Sequence, residues 1–143
     1  MIYTPVTKKA MKIAFEAHSG MTDKSGLPYI MHPLHLAESM TDETTTAVAL
    51  LHDVIEDTDI TAQMLLEMGM PEEVVCGVLA MTHGENEDYF EYVARVKKNP
   101  YALKVKIADL EHNSDMSRLD VVTQKDIRRV EKYKKAIEIL SAE

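Results

Sequence analysis

Histidine and carboxylate, the two residue types best suited to bind a cation or carry a proton, are concentrated in Leu50-Leu51-His52-Asp53-Val54-Ile55-Glu56-Asp57-Thr58. Apolar residues at 47, 48, 50, 51, 54 and 55 recur at helical spacing and predict one helix carrying all four groups. His52 and Glu56 are four apart, as are Asp53 and Asp57, and such pairs share a helix surface. His52 and Asp53 are neighbours and diverge by about 100° around a helix, yet their side chains can still meet at an ion lying between them. Glu56 and Asp57 fall near the expected C-terminus, where the helix dipole disfavours negative charge by ~0.3–1 kcal/mol each. A positive charge nearby would offset that penalty. The competing explanation is a partly exposed acidic helix end with one core histidine.

Two further residues extend the set. His32 heads a helix in Tyr29-Ile30-Met31-His32-Pro33, and Asp109 interrupts the apolar stretch Ile107-Ala108-Asp109-Leu110. A helical bundle holds a metal when ligands project from facing helices. His32, His52, Asp53 and Asp109 would offer two imidazoles and two carboxylates. That mixed set suits an octahedral divalent ion with open water positions better than a closed zinc site. Asp109 alone could equally cap a helix or pair with Lys106. His35, three residues from His32, is expected to face solvent or pack. His18, His83 and His112 are expected to be structural or surface histidines, and Cys76, set in Val74-Val75-Cys76-Gly77-Val78-Leu79, a buried small hydrophobe.

Helix signals run the length of the chain. Thr4-Pro5 supplies a cap and a first-turn proline, and Val6, Ala10, Ile13, Ala14 and Ala17 then form one apolar face. Residues 19–28 read as a loop whose only cation is Lys24. Pro33 suits the first turn of a second helix, Asp42 caps the third, Thr61 opens a short helix stopped by Gly69, and Pro71 starts one stopped by Gly84. Residues 89–98 form another. Residues 103–107 alternate like a strand, but no partner strand is evident and Leu103, Ile107 and Leu110 also fit a helix, so helix is expected. Thr123 with Asp126 resembles a capping box opening the last helix. The expectation is one all-α domain over residues 1–143, a bundle of about eight helices.

The chain has 143 residues with a net charge of −8. That charge argues against a nucleic-acid or membrane-surface binder, which would show a basic patch. It still permits an anionic small molecule, since an ion and a few lysines can reverse the potential of one cleft. No apolar run approaches the ~18 residues that span a bilayer, and no signal-peptide core is visible, so the cytoplasm is expected. The lone cysteine fits a reducing compartment. Ten methionines against two phenylalanines suggest a methionine-filled core.

Three blocks in this order, Tyr29 to Pro33, Leu50 to Thr58 and Lys106-Ile107-Ala108-Asp109-Leu110-Glu111-His112-Asn113, resemble the HD-domain hydrolases of the RelA/SpoT type, and among these the small stand-alone alarmone hydrolases. The resemblance implies a single HD-domain helical bundle. It implies that His32, His52, Asp53 and Asp109 hold one Mn²⁺ and that Glu56 and Asp57 position and deprotonate the attacking water. It further implies that Lys24 and Asn113 contact a nucleotide, and that the 3′-pyrophosphate of ppGpp or pppGpp is removed. Where relatives carry Arg-Lys in the first loop this chain has Asp23-Lys24, and where they carry Asp-Arg it has Asp109-Leu110. These departures keep open another nucleotide, such as an adenosine alarmone or the 2′-phosphate of NADPH, and a non-catalytic binding protein that retains the ion. A homodimer is also left open. No synthetase domain follows residue 143, so synthesis of alarmone is not expected of this polypeptide.

Overall fold

Capping residues set most of the helix boundaries in the computed structural model, which describes residues 1–143. Thr4 and Thr7 exchange backbone and side-chain bonds at the start of α1 (Pro5–Ala17). Asp42 accepts from the Thr45 N–H at 2.8 Å to open α3 (Glu43–Leu51), after α2 (Met31–Glu38). Thr61 caps α5 (Ala62–Glu67), which follows the one-turn α4 (Val54–Asp57). Gly69, at φ +93°, ends α5 in the left-handed conformation that glycine tolerates best. The rest comprises α6 (Glu72–Met81), α7 (Tyr89–Lys97), α8 (Pro100–Asn113), a 3-10 turn at Met116–Arg118 and α9 (Gln124–Ser141). The expected Thr123/Asp126 capping box is formed. The ambiguous residues 103–107 lie inside α8. The only β-type pairing is an isolated bridge between Thr22 and Pro28 within the predicted loop. The fold is all-α.

Helix α3 is the hub. Residues 45–51 are all buried, and α1, α2, α6 and α8 pack around it. A helix that is apolar on every side is stable only inside a core. The three threonines at its start have modest helix propensity, so packing and the Asp42 cap hold this helix more than intrinsic preference does. Its C-terminal end at Leu51 delivers His52 and Asp53 to the place where α2 and α8 also meet.

Five expectations need correction. The predicted continuous helix through Asp57 breaks after Leu51, because Asp53 adopts φ −103°, ψ 0° and resets the helical register. Glu56 and Asp57 therefore sit in a four-residue helix with little dipole of its own, and the dipole penalty on them loses its force. The core is built mainly of valine, alanine and leucine; only Met40, Met70 and Met81 of the ten methionines are buried. Cys76 is exposed: α6 is apolar almost all round, but it is the side carrying Val74, Val78 and Met81 that faces the core, and Cys76 is about 200° round the helix from Val74. α6 also ends at Met81, before Gly84.

Gly77 lets α6 lie against α3. A Cβ there would fall 2.7 Å from Val48 Cγ2, and Val48 is fully buried. Gly77→Ala gains about 1 kcal/mol of helix propensity but forces an overpacking cost of about 1–3 kcal/mol. We expect a net loss of stability in urea denaturation, recovered in part by Val48→Ala in the same chain. A more stable Gly77→Ala single variant would contradict the packing described.

Candidate metal centre

His32 in the first turn of α2, His52 just past α3 and Asp109 near the end of α8 are each under 5% exposed. One ligand atom from each lies within 4.8 Å of the others, forming the convergent trio of the structure. His32 Nε2 is 2.8 Å from Asp109 Oδ1, and His52 Nε2 is 3.5 Å from the same oxygen. Asp53 joins from one side, its Oδ2 3.0 Å from His52 Nε2. The break after α3 is what turns these neighbouring side chains toward each other.

His52 provides the test of whether these residues suit a cation. Its Nδ1 lies 2.7 Å from the Ala49 carbonyl oxygen, which can only accept, so Nδ1 carries the hydrogen. Nε2 of the neutral ring then offers a lone pair, buried and without a hydrogen bond, toward two carboxylates. A lone pair and two carboxylates facing one another call for a positive charge between them. The C-terminal end of α3 adds its own preference for one. Burial disfavours charge on His52, but Asp53 and Asp109 override it and raise its pKa well above the ordinary value. The residues fit a divalent ion.

The carboxylates are held ionised. Burial is the strongest single influence and works against both, but His52 and Tyr29 together outweigh it at Asp53, and Lys106, His32 and His52 together outweigh it at Asp109, leaving both pKa values below the usual carboxylate range. Lys106 Nζ donates to Asp109 Oδ2 at 3.0 Å and lies 5.2 Å from the centre of the Tyr92 ring. Asp109 thus forms both arrangements left open by its sequence context, pairing with Lys106 through one oxygen and meeting the histidines through the other. Tyr29 Oη donates to Asp53, and burial together with Asp53 pushes the phenol pKa upward.

Glu56 and Asp57 are exposed beside this floor. Glu56 Oε1 accepts from the His83 backbone N–H at 3.0 Å. Burial, then Asp53 and Glu56, push the Asp57 carboxyl up to about 6. A cavity of about 280 Å³ reaches the centre through Tyr29 and His32. Lys24 and Asn113 line it, together with Arg129 and Tyr133 from α9. Asn113 Nδ2 also donates to Asp109 Oδ1 at 3.0 Å. Asp23 lines the same cavity and pairs with Arg118 at 3.3 Å, tying the 19–28 loop to the turn before α9. Leu110, by contrast, is buried in the core, so an arginine missing at that position does not remove a group from the cavity.

Several residues of the site carry no local sequence signal. Arg129 and Tyr133 read as part of an amphipathic helix, and nothing local marks them as cavity residues. His112 has no partner histidine on its own helix but lies 2.7 Å from His32. His18 is buried against the Tyr29 ring, their centroids 4.8 Å apart, and neither of its ring nitrogens has a hydrogen-bond partner. His35 is exposed, as expected.

No family model matches the chain. It is 33% identical to the bifunctional (p)ppGpp synthase/hydrolase SpoT of Escherichia coli (strain K12), over 74% of this chain and 17% of that protein. It is 32% identical to the guanosine-3′,5′-bis(diphosphate) 3′-pyrophosphohydrolase of Aquifex aeolicus (strain VF5), over 90% of this chain and 19% of that one. The chain spans less than a fifth of the length of these relatives. Among solved structures it resembles a metazoan ortholog of SpoT described as hydrolysing ppGpp, with a TM-score of 0.77 and 22% identity, over 99% of this chain and 89% of that one. That likeness is one of fold.

Asp109→Ala would leave Lys106 buried without its carboxylate, at an expected cost of about 3–5 kcal/mol in urea denaturation. Adding Lys106→Met should restore much of the loss. An Asp109→Ala chain as stable as the wild type would rule out the pair.

Proposed function

We propose that this chain, which belongs to the RelA/SpoT type of HD-domain hydrolases, is a metal-dependent phosphohydrolase that removes the 3′-pyrophosphate from guanosine alarmones. The observation that carries this is the convergence of His32, His52 and Asp109, from three separate segments, beside a cavity that His32 lines together with Lys24 and Arg129. The names of the relatives support the substrate class. We take residues 1–143 as one hydrolase domain.

In this reading His32, His52, Asp53 and Asp109 hold a single ion, with Mn²⁺ as the proposed metal. Such an ion supplies Lewis acidity to a phosphoryl oxygen and lowers the pKa of water. The protein's own groups do the rest. Asp57, with its pKa brought to about 6, is suited to accept a proton from water near neutral pH. Glu56, anchored by the His83 N–H, fixes the direction from which water approaches. Lys24 and Arg129 oppose the polyphosphate's charge, and Asn113 spans Asp109 and the cavity, where an amide can orient a ribose or phosphate oxygen. Tyr29 holds Asp53 in place through its hydroxyl.

A second reading, cleavage of a different nucleotide, is favoured by one observation. Asp23 puts a carboxylate on the cavity wall, and its partner Arg118 is already engaged.

With Mn²⁺ present, the purified protein should release pyrophosphate from ppGpp. Phosphate or pyrophosphate released only from NADPH or an adenosine alarmone would move the assignment to the second reading, and inertness toward all of them would leave a binding protein. Asp53→Ala should lose the ion. Glu56→Ala should keep it while turnover falls about 10²–10⁴-fold, the usual range for a lost acid–base group. Metal content unchanged in Asp53→Ala would remove that residue from the ligand set.

A further inference from the structure

His32 has two ring nitrogens, and only Nε2 belongs to the convergent trio. The other, Nδ1, lies 2.7 Å from Nδ1 of His112, near the C-terminus of α8. The two rings are parallel to within 8° and their centroids are 5.0 Å apart. That separation exceeds the nitrogen–nitrogen distance by about two ring radii. The rings therefore meet edge to edge in nearly one plane, which is the geometry of a hydrogen bond and not of a stack. The face of His112 is covered instead by His35, at 4.0 Å between centroids.

Two N–H groups cannot face each other at this distance, so one nitrogen donates and the other accepts. An ion held by Nε2 leaves the hydrogen of the His32 ring on Nδ1. His112 must then present a lone pair at its own Nδ1 and carry its hydrogen on Nε2. His112 is half-buried and lines a second cavity of about 460 Å³, so water can satisfy that Nε2–H. His52 meets the same requirement in another way, since its Nδ1–H donates to the Ala49 carbonyl. One imidazole of the centre is oriented by the backbone, the other by a side chain.

We propose that His112 is the positioning residue for His32. By accepting the Nδ1–H it fixes the ring plane and the tautomer, and so aims the Nε2 lone pair at the ion. This rests on the metal-centre reading given above and deepens it. It assigns His112 no contact with substrate.

Two substitutions test it. His112→Asn keeps an acceptor oxygen close to the Nδ1 position. His112→Phe keeps a ring against His35 and removes the acceptor. Calorimetric titration with Mn²⁺ alone should show binding about 10–100-fold weaker in His112→Phe, as is usual when a group orienting a metal ligand is lost, and close to wild type in His112→Asn. Ring-nitrogen NMR of the Zn²⁺-loaded wild type and His112→Asn should show His32 with its hydrogen on Nδ1. Wild-type affinity in a folded His112→Phe chain, or a Zn²⁺-loaded wild type with the hydrogen on His32 Nε2, overturns the assignment. If His112→Phe does not fold, the wild-type tautomer decides. A wild type that binds neither ion overturns the metal centre and this inference together. A wild type that passes both tests and leaves ppGpp intact would sink the substrate assignment alone.

Discussion

One buried and one half-buried carboxylate face two buried imidazoles at the C-terminal end of the central helix, and the rest of the structure accommodates that. Burying charge is tolerated only when it is paired or neutralised. Lys106 neutralises one oxygen of Asp109, Tyr29 bonds Asp53, and the Ala49 carbonyl takes the hydrogen of His52. Beyond these pairings, one ligand atom each of His32, His52 and Asp109 lies within 4.8 Å of the others. The bundle around them is ordinary helix packing of valine, leucine and alanine. Its task is to bring the ends of α2, α3 and α8 together while keeping water off the floor of the site.

The acidic pair and the cavity occupy a different environment. Glu56 and Asp57 are exposed, on a one-turn helix that begins after Asp53, where the backbone has φ −103° and ψ 0°. The same backbone break serves two ends, since it turns Asp53 back toward His52 and releases the following residues from α3. A continuous helix would have spread these groups around its circumference.

How much of this could be read from the sequence depended on whether the cause was local. Capping residues, prolines and helical periodicity identified nearly every helix, because each of those signals acts within a turn. His32, His52 and Asp109 stood out because polar groups of that kind are rarely buried without reason. The break at Asp53 was not legible, since apolar spacing runs across it undisturbed and tertiary packing decides the backbone there. Cys76 misled because α6 is apolar on almost every side, and only its packing against α3 shows which side faces inward. The methionines misled in a similar way: composition counts apolar residues but does not place them. Arg129, Tyr133 and the partnership of His112 with His32 arise from chain segments far apart in sequence, and no local pattern encodes such meetings.

The tie between Asp23 and Arg118 links the loop before α2 to the turn before α9 along the wall of the cavity. Both side chains are partly exposed, and pairs of this kind contribute ~0.2–1 kcal/mol, comparable with thermal energy. The contact is therefore weak beside the helix packing on either side of it. Dissolved salt weakens such a pair, whereas the buried floor beneath it is shielded from salt. A change in ionic strength therefore acts on this loop-to-turn contact more than on the buried residues beneath it.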